Sequence, residues 1–185
     1  MQDKSMTISP DGWLSPAKII KSPNFDPRPH PEISLLVIHC ISLPPGEFGT
    51  GAVSQLFTNQ LDCESHPYYQ EYLKNKKLSA HVFITREGEI IQLVSFLNRA
   101  WHAGISNFNG RDKCNDFSVG IELEGTETSL FEPCQYLSLI QVTKAICKTY
   151  PEINSQRILG HEDIAPGRKK DPGECFDWDY FKKNL

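Results

Sequence analysis

The run Ser34-Leu35-Leu36-Val37-Ile38-His39 constrains the fold more than any other stretch of the chain. It is apolar at consecutive positions, and successive side chains of a strand point to opposite faces. Both faces of such a strand need cover, so the sheet it belongs to is packed between layers. The run stops at a histidine and gives way to Pro44-Pro45-Gly46, a turn signal. A polar side chain at the carboxyl end of a buried strand stands where α/β folds keep their sites.

The remaining elements follow in order. Gly51 to Asn59 reads as a short helix, Cys63–Pro67 as a loop, and Tyr68 to Asn75 as a helical turn or two. Ser79–Thr85 and Glu89–Val94 are strand-like, and Arg86-Glu87-Gly88 between them predicts a β-hairpin. After a polar loop through Asn115, Phe117–Leu123 alternates like a strand and delivers Glu122 near its end. Pro133 suits the first turn of a helix, and Tyr136, Leu139, Ile140, Thr143, Ile146, Cys147 and Tyr150 then fall on one face until Pro151. Gln156–Leu159 predicts a short strand and Asp177–Lys183 a last helix. Strands interleaved with helices predict an α/β or α+β single domain.

Ahead of this unit, residues 1–33 carry Ser9-Pro10, Ser15-Pro16, Ser22-Pro23 and Asp26-Pro27-Arg28-Pro29-His30-Pro31. Proline removes a backbone donor and fixes φ, so the segment is expected to wrap residues 34–185 as extended chain, with Trp13 and Phe25 as anchors. A chain of 185 residues is long enough for one full core and marginal for two.

Charge narrows the function. The net charge is −4, and Arg168-Lys169-Lys170 is the one compact basic run, which excludes nucleic acid as the main partner. No apolar stretch approaches the roughly 20 residues of a membrane span. The first seven residues lack the apolar core of a secretory signal, so a cytoplasmic protein is expected. The six cysteines show no C-x-x-C spacing and are expected as reduced thiols, with disulfides of an exported protein as the competing reading.

Chemistry concentrates in Gly160–Gly173, a loop by composition with two prolines and three glycines. It offers His161, a carboxylate ten positions later at Asp171, and Lys169 two residues before that. One imidazole and one carboxylate are too few for a metal, and His39 is the candidate third ligand. Two imidazoles and a carboxylate with one position open form a catalytic rather than a closed zinc site. Attack of water on an amide needs a base, and Glu122 on a mostly apolar strand suits that task. Glu124 competes with it, because alternation sends both side chains to one face. Lys169 shares parity with Asp171 along an extended loop and could face a forming oxyanion, with Arg168 and Lys170 pointing away. His81 reads as a core or supporting residue, and His102 beside Trp101 as a pocket residue; no role is assigned to His30 or His66.

Several stretches resemble a known family. They are Leu36–His39, Ile41–Gly49, Arg99-Ala100-Trp101-His102-Ala103-Gly104, Cys114–Gly125 and the closing loop. They resemble the zinc N-acetylmuramoyl-L-alanine amidases, a family shared with phage T7 lysozyme and the peptidoglycan recognition proteins. Within it, the nearest likeness is to the cytoplasmic Gram-negative branch acting on 1,6-anhydro-muropeptides. The resemblance implies a central mixed β-sheet flanked by helices and one zinc ion held by His39, His161 and Asp171. It also implies Glu122 as the water-activating residue and Lys169 as the transition-state stabiliser. The reaction implied is hydrolysis of the amide between the lactyl group of anhydro-muramic acid and L-alanine of the stem peptide. That step recycles cell-wall fragments and, in some bacteria, lowers a signal that induces β-lactamase. Cys40, Lys77, Trp101, Lys113 and Ala165 are the expected substrate-binding positions. Cys40 stands where the family commonly has Asn, and Lys77 and Lys113 stand where relatives carry arginine, keeping charge but losing the bidentate fork. The partner expected is a small muropeptide, with no membrane and no obligate protein partner. Two rivals are a peptidoglycan-binding module without catalysis and an amidase of intact cell wall.

Overall fold

In the computed structural model, which describes residues 6–185, six strands build the central sheet. They are β1 (Lys18–Ile19), β2 (Leu35–Ile41), β3 (Val82–Ile84), β4 (Ile90–Gln92), β5 (Ser118–Glu124) and β6 (Ile158–Gly160), in the spatial order β6-β2-β5-β3-β4-β1. The sheet is mixed: β3 and β4 form the expected antiparallel hairpin, and every other neighbouring pair is parallel. Parallel neighbours need cover on both faces, and β2 and β5 are correspondingly buried through their centres.

Parity along the two central strands divides the molecule. Leu36 and Ile38 of β2, with Val119, Ile121 and Leu123 of β5, meet Leu139, Val142 and Ile146 of the long helix Pro133–Thr149. Pro133 opens that helix, and Gln135 Oε1 accepts the Glu132 N–H at 3.0 Å. The opposite parity gives Leu35, Val37 and His39 on β2 and Ser118, Gly120, Glu122 and Glu124 on β5, so the polar side chains of a fully buried strand collect on one face. Short helices Ala52–Phe57 and Pro67–Tyr72 pack their apolar residues against Phe83, Ile91 and Leu93. A last helix, Trp178–Lys183, docks Phe181 into the core beside the long helix.

The N-terminal segment does more than wrap. Thr7–Ile8 pairs with Leu14–Ser15, β1 joins the sheet edge, and Phe25–Pro27 pairs with Asn98–Ala100. Residues 1–5 of that segment lie outside the described residues. Phe25 is 42 % exposed and is not an anchor; buried Leu14 and Asn24 hold the segment, and Asn24 Nδ2 donates to Leu78 O at 2.9 Å. Arg28 is the third tie: its guanidinium donates to the carbonyls of Phe96, Asn115, Asp116 and Ser118. Burial lowers its pKa to about 10. All six cysteines are free, as expected.

Candidate metal centre

His39 lies near the carboxyl end of β2, directly paired with Glu122 on the neighbouring β5. On the other side of β2, Gly160 of β6 pairs with Ile38, so the residue after it, His161, arrives beside His39. The composition of Gly160–Gly173 predicts an irregular loop, and here the structure differs: His161–Ile164 is one helical turn. Asp163 causes it, its Oδ2 accepting the Gly160 N–H at 2.8 Å in the manner of a helix start. The chain returns to the site when the Glu162 N–H donates to Asp171 O at 3.1 Å.

Three ligand atoms converge as a result. His39 Nδ1, His161 Nδ1 and Asp171 Oδ2 are each 3.0 Å from the other two. All three side chains are buried. Atoms so spaced lie on a circle of about 1.7 Å radius, inside the roughly 2.0–2.2 Å reach of zinc to nitrogen and oxygen. The donor set therefore fits one divalent ion. The outward ring nitrogens fit as well: His161 Nε2 is 3.0 Å from Ala103 O, and His39 Nε2 is 2.9 Å from His102 Nδ1. Metal-ligating histidines almost always carry a hydrogen-bond partner on the outer nitrogen. Burial pushes the His39 pKa down to about 4, with Asp171 opposing, so the imidazole is neutral as ligation requires. Burial works against charge on Asp171 too, yet its hydrogen bonds with His161 and His39 hold the carboxyl well below the usual carboxylate range.

Glu122 and Glu124 face the same side but differ in their partners. Glu124 accepts the Gly49 N–H at 2.6 Å and the Arg86 N–H at 2.9 Å. Glu122 Oε2 is buried without a partner. Burial first, and then the neighbouring Asp171, raises its pKa well above the ordinary value, while Lys169 opposes.

These groups open onto a cleft of about 830 Å³ whose lining includes Cys40, Lys77, Trp101, Glu122 and Lys169. Cys40 has the parity opposite to His39 and also packs against the helix-side core. Lys113 and Ala165 are not among the lining residues. Lys113 is exposed two positions before the lining residue Asn115, and Ala165 is buried, its carbonyl accepting the N–H groups of Arg168 and Lys169. Arg168 was expected to point away; it lines the cleft, and its Nη2 donates to Ala103 O at 2.6 Å. Tyr68 and Tyr72, ring centroids 4.9 Å apart, form an aromatic wall that the sequence showed only as adjacent turns of a short helix.

The family profile for N-acetylmuramoyl-L-alanine amidase matches residues 29–174. The chain belongs to that family. Among its amidase relatives, the Haemophilus influenzae 1,6-anhydro-N-acetylmuramyl-L-alanine amidase AmpD is 53 % identical over 175 residues, covering 94 % of this chain and 95 % of the relative. The crystal structure of a selenomethionine AmpD derivative superposes with a TM-score of 0.93 at 48 % identity, covering 97 % of this chain and 99 % of that one. A more distant amidase, Escherichia coli AmiD, was solved with the substrate anhydro-N-acetylmuramic acid-L-Ala-D-γ-Glu-L-Lys. It matches with a TM-score of 0.60 at 30 % identity, over 98 % of this chain and 66 % of AmiD. The mixed sheet flanked by helices is thus the amidase fold.

Proposed function

We propose that this amidase hydrolyses the amide between the lactyl carbonyl of 1,6-anhydro-N-acetylmuramic acid and L-alanine of the stem peptide, in peptidoglycan recycling. The observation that carries the reading is the unpartnered, buried Glu122 Oε2 beside a cleft into which three metal-ligand atoms converge. His39, His161 and Asp171 would hold one zinc ion. When bound, zinc supplies a nucleophile at neutral pH and polarises a carbonyl oxygen.

The chain's own residues do the rest. Glu122 takes a proton from the attacking water and passes it to the leaving nitrogen of L-alanine, and the second proton of that water follows to the amine, so the products are a lactyl carboxylate and an ammonium group. Its raised pKa suits a group that must hold that proton between the two transfers. Lys169 sets a cation beside the oxygen that becomes negative in the tetrahedral intermediate. Lys77 at the cleft wall, and exposed Lys113 two positions before the lining residue Asn115, would offer cations to the carboxylates of the stem peptide. Trp101, Cys40 and the Ala165 loop bound the same cleft. No helix of the described residues is long and apolar enough to cross a membrane. The cytoplasm is proposed as the compartment on a separate ground, the likeness to recycling amidases.

The deciding assay is release of the stem peptide from anhydro-muramyl-tripeptide. Release that a chelator stops and added zinc restores is the expected result. A metal-free protein that binds the muropeptide without cleaving it would instead make the chain a recognition module. Equal activity on intact sacculi would make it a cell-wall amidase.

A further inference from the structure

The His39 ring has two polar neighbourhoods, and only one faces the ligand cluster. Its Nε2 lies 2.9 Å from His102 Nδ1, and His102 Nε2 lies 3.2 Å from Ser118 Oγ. Two ring nitrogens at hydrogen-bond distance share one proton, so one donates and the other accepts. If His39 gives its Nδ1 lone pair to a cation, its proton sits on Nε2. His102 Nδ1 must then accept, and the proton of His102 faces Ser118 Oγ, a hydroxyl able to receive it. His161 makes the simpler arrangement, facing a carbonyl that can only accept. His39 faces an imidazole that could take either tautomer, so its partner has to be held.

The fold holds it. Gly120 of β5 presents a bare Cα to the His102 ring, and a Cβ there would collide with the ring atoms. The main-chain N–H groups of His102 and Ala103 both donate to Asn115 Oδ1, at 3.1 and 2.8 Å. Behind the ring stands His81, its centroid 5.7 Å from that of His102. His81 Nδ1 accepts the Gly120 N–H at 3.0 Å, which leaves its other nitrogen to donate to Asn98 O at 3.0 Å. The rings of His102 and His39 meet edge to face, centroids 5.0 Å apart and planes at 79°.

We propose that His102 is a positioning residue, which accepts the His39 Nε2 proton and so fixes His39 in the tautomer whose Nδ1 can hold the metal. The proposal rests on the metal reading above, and the outer partner of a ligating histidine is worth roughly 10–100-fold in metal affinity. It is tested by zinc titration against a chromophoric chelator for the natural protein, His102→Leu and His102→Asn. The leucine variant should bind zinc about 10–100-fold more weakly. The asparagine variant, whose Oδ1 accepts from nearly the same place as Nδ1, should recover most of that loss.

Nitrogen-15 NMR of the zinc-loaded natural protein should find the protons of both His39 and His102 on Nε2. This readout needs no variant to fold. A proton on His102 Nδ1 overturns the proposal, as does a folded leucine variant that binds zinc within about threefold of the natural protein, well under the expected loss. Failure of the natural protein itself to bind zinc through Asp171 overturns the metal reading instead, so the two failures are distinct.

Discussion

Glu122 and Glu124 lie two residues apart on one face of β5, yet Glu124 accepts two backbone N–H groups while Glu122 Oε2 accepts none. A carboxylate already engaged by Gly49 and Arg86 fixes loops to the sheet; a buried one left free is available to a substrate. Glu122→Gln should lower kcat by about 10²–10⁴-fold while zinc content is kept. Glu124→Gln should leave kcat within a few-fold and cost about 1–3 kcal/mol of stability, since it weakens two buried hydrogen bonds. Steady-state kinetics and urea unfolding of the pair check both, and a reversed outcome would exchange their roles.

Asp171 is the group on which the two imidazoles converge. Both imidazoles turn Nδ1 towards its Oδ2. Asp171→Ala should weaken zinc binding by more than the roughly 10–100-fold that losing an outer partner costs. Metal analysis after dialysis against a weak chelator reads this directly, and unchanged zinc content would remove Asp171 from the ligand set.

Lys169 lines the cleft with Glu122 and Asp171, and its backbone N–H is tied to Ala165 O at 3.1 Å. Lys169→Met keeps an unbranched side chain of nearly the same length and removes the charge. The expected effect is a fall in kcat of about 10²–10³-fold, the range for losing one donor to an oxyanion. Zinc affinity should stay unchanged, and a rise in KM alone would make Lys169 a binding group.

His81 gives the fold a pH dependence. Burial, and next the Arg28 guanidinium, hold its pKa well below the ordinary 6.5. Below the unfolded value the unfolded chain takes up a proton that the folded chain refuses. The stability His81 contributes is thus present above about pH 6.5 and lost as pH falls, at up to about 1.4 kcal/mol per pH unit. Measured with chelator present, His81→Asn should show a shallower decline than the natural protein between about pH 6.5 and pH 5. Parallel declines would show that His81 binds a proton without cost in the folded state.

Legibility from sequence followed the physics of each element. The apolar run of β2 and the 3.6-residue repeat of Pro133–Thr149 are set by burial alone, and both appear where expected. Gly160–Gly173 was misread in part because its helical turn depends on one contact, Asp163 to the Gly160 N–H, that composition does not encode. The same holds for Arg168, whose direction is set by carbonyls some sixty positions away in the chain. The choice between Glu122 and Glu124 was open in sequence because alternation treats them alike; the partners that separate them, Gly49 and Arg86, come from distant loops. The pairing of Thr7–Ile8 with Leu14–Ser15, and of Lys18–Ile19 with the sheet edge, is hidden in sequence because two-residue strands carry no periodicity.

The converging trio draws on distant parts of the 185-residue chain, His161 and Asp171 standing 122 and 132 positions beyond His39. An ion gripped by all three would require β6 docked beside β2, the pairing that brings His161 to His39. A ribosome that has not yet extruded residue 171 therefore carries a chain without the full trio. Whatever binds only the finished protein also draws the folding equilibrium towards it, and an ion held by this trio would do so.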